Sequence, residues 1–403
     1  MTPRLPRFPA APQEETPAAR DSARIRVLYV LPSAHVGGAE TITREWIVRH
    51  APAFEPLVAV GGDGPLVRAF AQSGVPVTRL RPWRQRAFLR QTLTVARVIL
   101  RQRVDLVHSA MLWGHLVGGL AGWLTRRPVI CFNHGPIGSQ RLQGLAPFLP
   151  AARVLVPSRY MFAQQNRYWF NTRKVASVPL GLDATVFRPP SAGERRQARA
   201  ALGLADDECV VGIFGRIVPL KGHMLLIEAL AGLAAEPARR FVLLCVGDAT
   251  GAPGEVLAGH RAEIAARAAA LPTRVRVVFT GFREDVRGCV GACDIVANSS
   301  LEPETFGLAI AEAMLTARVV VVPDCGGPAE YVREGATGFT YRLGDVAALR
   351  AALRRAGEAG AEIGARAREA IQRDYSVDTS VKRLEGHYRE VLAEVDRGRT
   401  AFA

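Results

Sequence analysis

The sequence predicts an α/β protein made of two doubly wound domains that face a central cleft. Three observations predict this. Short apolar runs recur along the chain and are continuous rather than alternating, as expected of parallel strands covered on both faces. Helix-period segments separate them, one per crossover. The series then starts afresh past a Pro/Gly-rich stretch, which implies a second sheet rather than a longer first one.

The first series reads as strands at IRVLYVL (25–31), EPLVAV (55–60), VPVTRL (75–80), VDLVHS (104–109), PVICFN (128–133), RVLVPS (153–158) and KVASVPL (174–180). Segments such as AETITREWIVRH fill the gaps as helices. The join falls in PLGLDATVFRPPSAGERR (179–196). The second series reads ECVVGIFG (208–215), RRFVLLCVG (239–247), RVRVVFTG (274–281), CDIVANSS (293–300) and ARVVVVP (317–323). The expected domains are a first Rossmann-like unit over 25–185 and a second over 186–375. A helix over 376–403 closes the chain. The proline-rich start, 1–24, lacks the apolar core of a signal peptide and reads as a disordered leader.

A chain of 403 residues, 49% hydrophobic, has ample material for two cores. No apolar run reaches the ~20 residues of a spanning helix. Met111–Leu124 comes nearest, but four glycines and His115 interrupt it. It reads as a buried helix, with interfacial contact as the alternative. The six cysteines, at 131, 209, 245, 289, 293 and 325, sit mostly in strand-like runs. They read as buried free thiols in a reducing compartment.

The net charge of +15 is unevenly placed. Residues 1–190 hold 25 Lys and Arg against 9 Asp and Glu, and residues 191–403 are near balance. Eight arginines and no acid lie in Arg79–Arg103, interleaved with Trp83, Phe88, Leu89, Leu93, Val98, Ile99 and Leu100. That pattern suits an anionic membrane surface or another polyanion. A solvated arginine-rich face is the plainer reading, since the chain contains only three lysines.

Three motifs follow strands, where ligands of such sheets bind. In HVGGAE (35–40), Gly37 and Gly38 let the backbone approach a ligand at a helix start. This is not the dinucleotide fingerprint. In FGRIVPLKG (214–222), Arg216 and Lys221 place two cations in a strand–helix loop, a diphosphate-binding arrangement that needs no metal. In SLEPETFGLAIAEAM (300–314), Glu304 precedes a helix start at Phe306, Gly307 and Leu308, and Glu312 lies within the first turns among apolar neighbours. A carboxylate to hold sugar hydroxyls beside amides to hold phosphate is the chemistry this pattern offers. The plainer reading has Glu304 favouring the helix dipole and Glu312 on the surface.

Taken together, GGAE, GRIVPLKG, FTGFREDV, EPETFGLAIAE and DCGGPAEYV resemble the retaining GT-B glycosyltransferases of the family-4 type, in order over about residues 25–395. The resemblance implies that Arg216 and Lys221 bind the donor diphosphate, and that Glu304 holds hydroxyls of the donor sugar. It implies that Phe306, Gly307 and Leu308 offer amides, and that Glu312 grips the ribose. Gly37 and Gly38 form the loop under the diphosphate. His134, in CFNHGPIGS, matches the active-site histidine, and Gly281 and Phe282 frame the base. The closing helix crosses back to the first domain, which takes the acceptor.

The resemblance further implies transfer with retention from a nucleotide-diphosphate sugar, with no metal or other cofactor; no Asp-x-Asp occurs in the chain. The basic first domain adds the expectation of a saccharide or lipid-linked acceptor, in polysaccharide, lipopolysaccharide or glycolipid assembly. It places the enzyme in the cytoplasm, peripheral on the inner face of the membrane, with no nucleic-acid partner. Neither base nor sugar is specified. A nucleotide-sugar epimerase of similar build and a non-catalytic polyanion-binding protein are the alternatives. The first would yield a free epimer, and the second would keep its binding after Glu304→Ala.

Overall fold

The computed structural model describes residues 24–35, 37–82, 87–135, 143–166, 174–234, 240–248, 254–271, 275–283 and 285–400. Most of the expected leader, and Trp83, Arg84 and Arg86 of the arginine-rich segment, lie outside these residues.

Thirteen strands are found among them, in two parallel sheets. The first sheet contains β1 (Ile25–Leu31), β2 (Phe54–Gly61), β3 (Val77–Leu80), β4 (Leu106–Ala110), β5 (Val129–Phe132), β6 (Arg153–Val156) and β7 (Val175–Ser177). Its order is β3-β2-β1-β4-β5-β6-β7. The second contains β8 (Glu208–Phe214), β9 (Arg240–Val246), β10 (Val275–Phe279), β11 (Ile295–Ala297), β12 (Val319–Pro323) and β13 (Phe339–Tyr341), in the order β10-β9-β8-β11-β12-β13. The strand order reverses between β1 and β4 and again between β8 and β11. Each reversal opens a crevice at the carboxyl ends of its strands.

The central strands are buried along nearly their whole length, which is why their sequences run apolar without alternation. Met111–Leu124 is a helix whose His115 and glycines are buried between Ser109, Val30 and Val129, while Trp123 is exposed. Among the described residues, no helix is long and apolar enough to cross a membrane. All six cysteines are free; five are buried and Cys325 is half-buried.

The last helix, Val377–Thr400, leaves the second sheet and packs on the first domain. Trp46 donates to Ser380 at 3.0 Å, and Ser380 donates to the Pro179 carbonyl at 2.7 Å. Buried Tyr388 bonds Tyr29 at 2.8 Å and His108 at 2.6 Å, and Glu385 accepts from the Ala51 amide at 2.8 Å. These bonds satisfy polar groups that burial would otherwise leave unpaired. They fix the crossing helix as a strap between the domains.

Candidate functional site

The site is assembled at the second sheet's switch point. Lys221 stands in the loop after β8, and Glu304 in the loop after β11, the strand that flanks β8 across the reversal. Lys221 Nζ lies 2.5 Å from Glu304 Oε1, which also accepts from Ser300 Oγ at 2.8 Å. Ser299 Oγ donates to the Lys221 carbonyl at 3.0 Å, and the Leu301 amide donates to the Leu220 carbonyl at 2.8 Å. The two loops are therefore stitched together. Gly222 makes this possible: its φ is +67°, and a Cβ there would stand 1.8 Å from the Ser299 carbonyl oxygen.

Arg216 sits earlier in the same loop and is exposed. Its guanidinium has no acceptor among the described residues, so the structure brings Lys221 but not Arg216 into contact with Glu304. An exposed, unpaired guanidinium at the crevice rim can turn onto an incoming anion.

Phe306 is buried, and Gly307 adopts a left-handed φ of +79° that opens the helix Leu308–Leu315 without a side-chain cap. The amides of Gly307 and Leu308 have no acceptor among the described residues. They are orphan donors at the positive end of a helix, the arrangement that attracts phosphate oxygens. Tyr331 holds this turn from behind, donating to the Phe306 and Gly307 carbonyls at 2.8 and 2.9 Å.

Glu312 is half-buried one turn on, and its carboxylate has no partner among the described residues. Burial pushes its pKa up to about 8, which favours the protonated form, a group that both donates and accepts. Such a group suits a neutral diol.

The first domain meets this turn directly. Gly38, at the start of helix Gly38–Val48, lies against Leu308: a Cβ on it would come within 3.3 Å of Leu308 Cδ2. Gly37 precedes it as an uncapped, extended residue. His134 follows β5, its ring 4.5 Å from Phe132 and 6.0 Å from Trp46. Burial pushes its pKa down to about 3, and neither ring nitrogen has a partner among the described residues. A neutral imidazole whose buried ring nitrogens are both unpaired has hydrogen-bonding capacity that the described residues do not fill. On the far side, Gly281 pairs with Gly247, which donates to its carbonyl at 3.1 Å, and Phe282 is exposed.

Two residues that span the domains were not singled out in the sequence. Ser158, which caps helix Arg159–Gln165, donates to the Thr305 carbonyl at 2.6 Å. Glu330 accepts from the Arg159 and Tyr160 amides at 3.1 and 2.6 Å. Glu330 lies inside DCGGPAEYV, so its motif was visible while its partner, 170 residues earlier, was not.

A cation paired with a carboxylate, free helix-start amides and an unpaired arginine at a domain junction can grip a diphosphate and a polyol side by side. The chain is also similar to known proteins. The family described as Glycosyl transferases group 1 matches residues 208–358, and Glycosyltransferase Family 4 matches residues 36–186. A D-inositol 3-phosphate glycosyltransferase of Nocardia farcinica is 34% identical over 263 residues, 59% of this chain and 55% of that relative. One from Nocardioides sp. is 30% identical over 341 residues, 76% of this chain and 73% of the relative. Among solved structures, Anabaena Alr3699/HepE in complex with UDP and glucose covers 91% of this chain and 100% of its own, at 26% identity and a TM-score of 0.79.

Proposed function

Because the chain belongs to the family-4 glycosyltransferases and has their GT-B fold, we propose that it moves a hexosyl group from a nucleoside-diphosphate sugar to a saccharide or lipid-linked acceptor, retaining the anomeric configuration. The observation that carries this reading is the Lys221–Glu304 contact at 2.5 Å beside the free Gly307 and Leu308 amides. Glu304 holds hydroxyls of the sugar while Lys221 faces its leaving diphosphate. As the anomeric C–O bond breaks, negative charge grows on the β-phosphate. Lys221, Arg216 and the two amides stabilise it without a metal ion. The departing phosphate oxygen takes the acceptor hydroxyl's proton, and the acceptor oxygen bonds the anomeric carbon on the same face. His134 stands at the reacting sugar, and Glu312 holds the ribose. Gly37 and Gly38 lie under the diphosphate, and Gly281 and Phe282 border the base.

UDP-glucose is the first donor to try, because the Anabaena neighbour was solved with UDP and glucose. The relatives' names make a phosphorylated polyol one acceptor class. A lipid-linked acceptor is supported by helix Phe88–Arg101, which exposes Leu89, Leu93 and Leu100 among exposed Arg90, Arg97 and Arg101. Apolar side chains beside arginines suit the inner face of an anionic membrane, where polysaccharide or glycolipid precursors are assembled. The test is product analysis. The protein is incubated with mass-tagged nucleotide sugars and membrane extract. A glycoside with the donor's anomeric configuration supports the proposal, and a free epimer or no product refutes it.

A further inference from the structure

A cavity of about 400 Å³ lies at the junction of the domains, lined by none of the residues assigned above to the donor. Arg159 and Ser177 line it from the first domain; Arg333, Arg373, Asp374 and Arg383 line it from the second domain and the crossing segment. Its volume suits a small ligand.

The charges in it do not balance. Arg373 is paired with Asp374 through two bonds of 2.9 Å, and Arg159 lies 3.7 Å from Glu330, which also lines the cavity. Arg333 and Arg383 have no acceptor for their guanidinium groups among the described residues, and both are exposed. Their field still reaches the cavity: Asp374 is held below the ordinary carboxylate range first by its bond to Arg373 and then by Arg333 and Arg383. Among the described lining residues, four positive charges against two negative leave two uncompensated. A phosphate monoester carries about −1.5 to −2 near neutrality, and guanidinium is the side chain that binds it in a two-pronged way.

We propose that this cavity binds a soluble phosphate monoester through Arg333 and Arg383, and that its occupancy favours the closed arrangement of the two domains. The wall of the cavity is continuous with contacts between the domains. Glu330 accepts the Arg159 and Tyr160 amides across the junction, and the next residue, Tyr331, holds the Phe306 and Gly307 carbonyls. A ligand held by Arg333 and Arg383 that also reaches Arg159 bridges both domains and stiffens the turn that faces the donor. None of the exposed large apolar residues lines the cavity, so the phosphate is that of a small molecule and not of a lipid headgroup.

The test uses the full-length protein, with inorganic phosphate and glycerol 3-phosphate as probes, read by thermal unfolding and by UDP affinity. Both probes raise the melting temperature and tighten UDP binding in the wild type. The double variant Arg333→Ala/Arg383→Ala weakens the apparent affinity for them by about tenfold or more while keeping the wild-type melting temperature in their absence. Arg216→Ala, which alters the donor loop, keeps the rise in melting temperature on addition of either probe. Equal responses in the double variant and wild type overturn the site, as does loss of the response in Arg216→Ala instead. A response only to vesicles containing phosphatidic acid also overturns it. Unchanged UDP affinity at saturating phosphate overturns the link to closure.

Discussion

Lys221 Nζ and Glu304 Oε1 are 2.5 Å apart, although 83 residues separate them in the chain. The contact exists because β8 and β11 are neighbours across the point where the strand order reverses, so their following loops meet. Glu304 completes its shell with Ser300. Glu304→Gln keeps the shape and loses the charge that orients Lys221. Turnover is expected to fall by about 10²-fold, with the fold unchanged by circular dichroism, because an acceptor aimed at the sugar is lost at the reacting centre. Steady-state kinetics with the donor checks this.

Glu312 gives a pH signature. Its folded pKa of about 8 lies above its ordinary value of 4.5. The folded state therefore binds the proton more tightly than the unfolded chain. The resulting stabilisation is complete below pH 4.5 and is lost as pH rises through about 8. Glu312→Gln cannot titrate, so the melting temperature of the wild type should fall relative to the variant across that interval. Parallel melting curves from pH 5 to 8.5 measure it; a constant difference would contradict the burial-driven shift.

Tyr331 is buried, and its hydroxyl meets the Phe306 and Gly307 carbonyls. Tyr331→Phe leaves the ring packing against Phe306 and Tyr375 but removes these bonds. The expected cost is about 1–2 kcal/mol in urea unfolding, with a raised donor KM, since the amides of Gly307 and Leu308 lose their support.

Gly222 tolerates no side chain. Gly222→Ala must either shift the Ser299 carbonyl, 1.8 Å from the new Cβ, or abandon a φ of +67°. A loss of more than about 2 kcal/mol is expected in equilibrium unfolding, together with a weakened Lys221–Glu304 contact seen as reduced UDP affinity.

Membrane contact is tested on helix Phe88–Arg101. Reversing Arg90, Arg97 and Arg101 to Glu removes three exposed positive charges. At about 1 kcal/mol per charge near an anionic surface, co-sedimentation with phosphatidylserine vesicles should drop by more than tenfold. The same vesicles in high salt should release the wild type.

Much of this was legible because the signals are local. Continuous apolar runs marked twelve of the strands, and the restart after residue 196 marked the second sheet. Lys221 stood out as one of three lysines, placed just after a strand. The strand Phe339–Tyr341 was missed because three residues carry no readable period. Glu330 and Ser158 were missed for a different reason. Their roles depend on which segment of the other domain comes to rest on them, and nothing in the adjacent sequence encodes that. Tyr331 is intermediate: it lay in a quoted motif, but the turn it supports is 24 residues earlier.

The most direct test of the central claim is sugar transfer by Lys221→Ala. With a donor identified by product analysis, single-turnover rates of wild type and variant are compared at saturating donor. The claim that this ammonium neutralises the leaving diphosphate requires a fall of about 10²–10³-fold, the usual effect of removing one group that stabilises developing negative charge. Transfer by Lys221→Ala at the wild-type rate would contradict it.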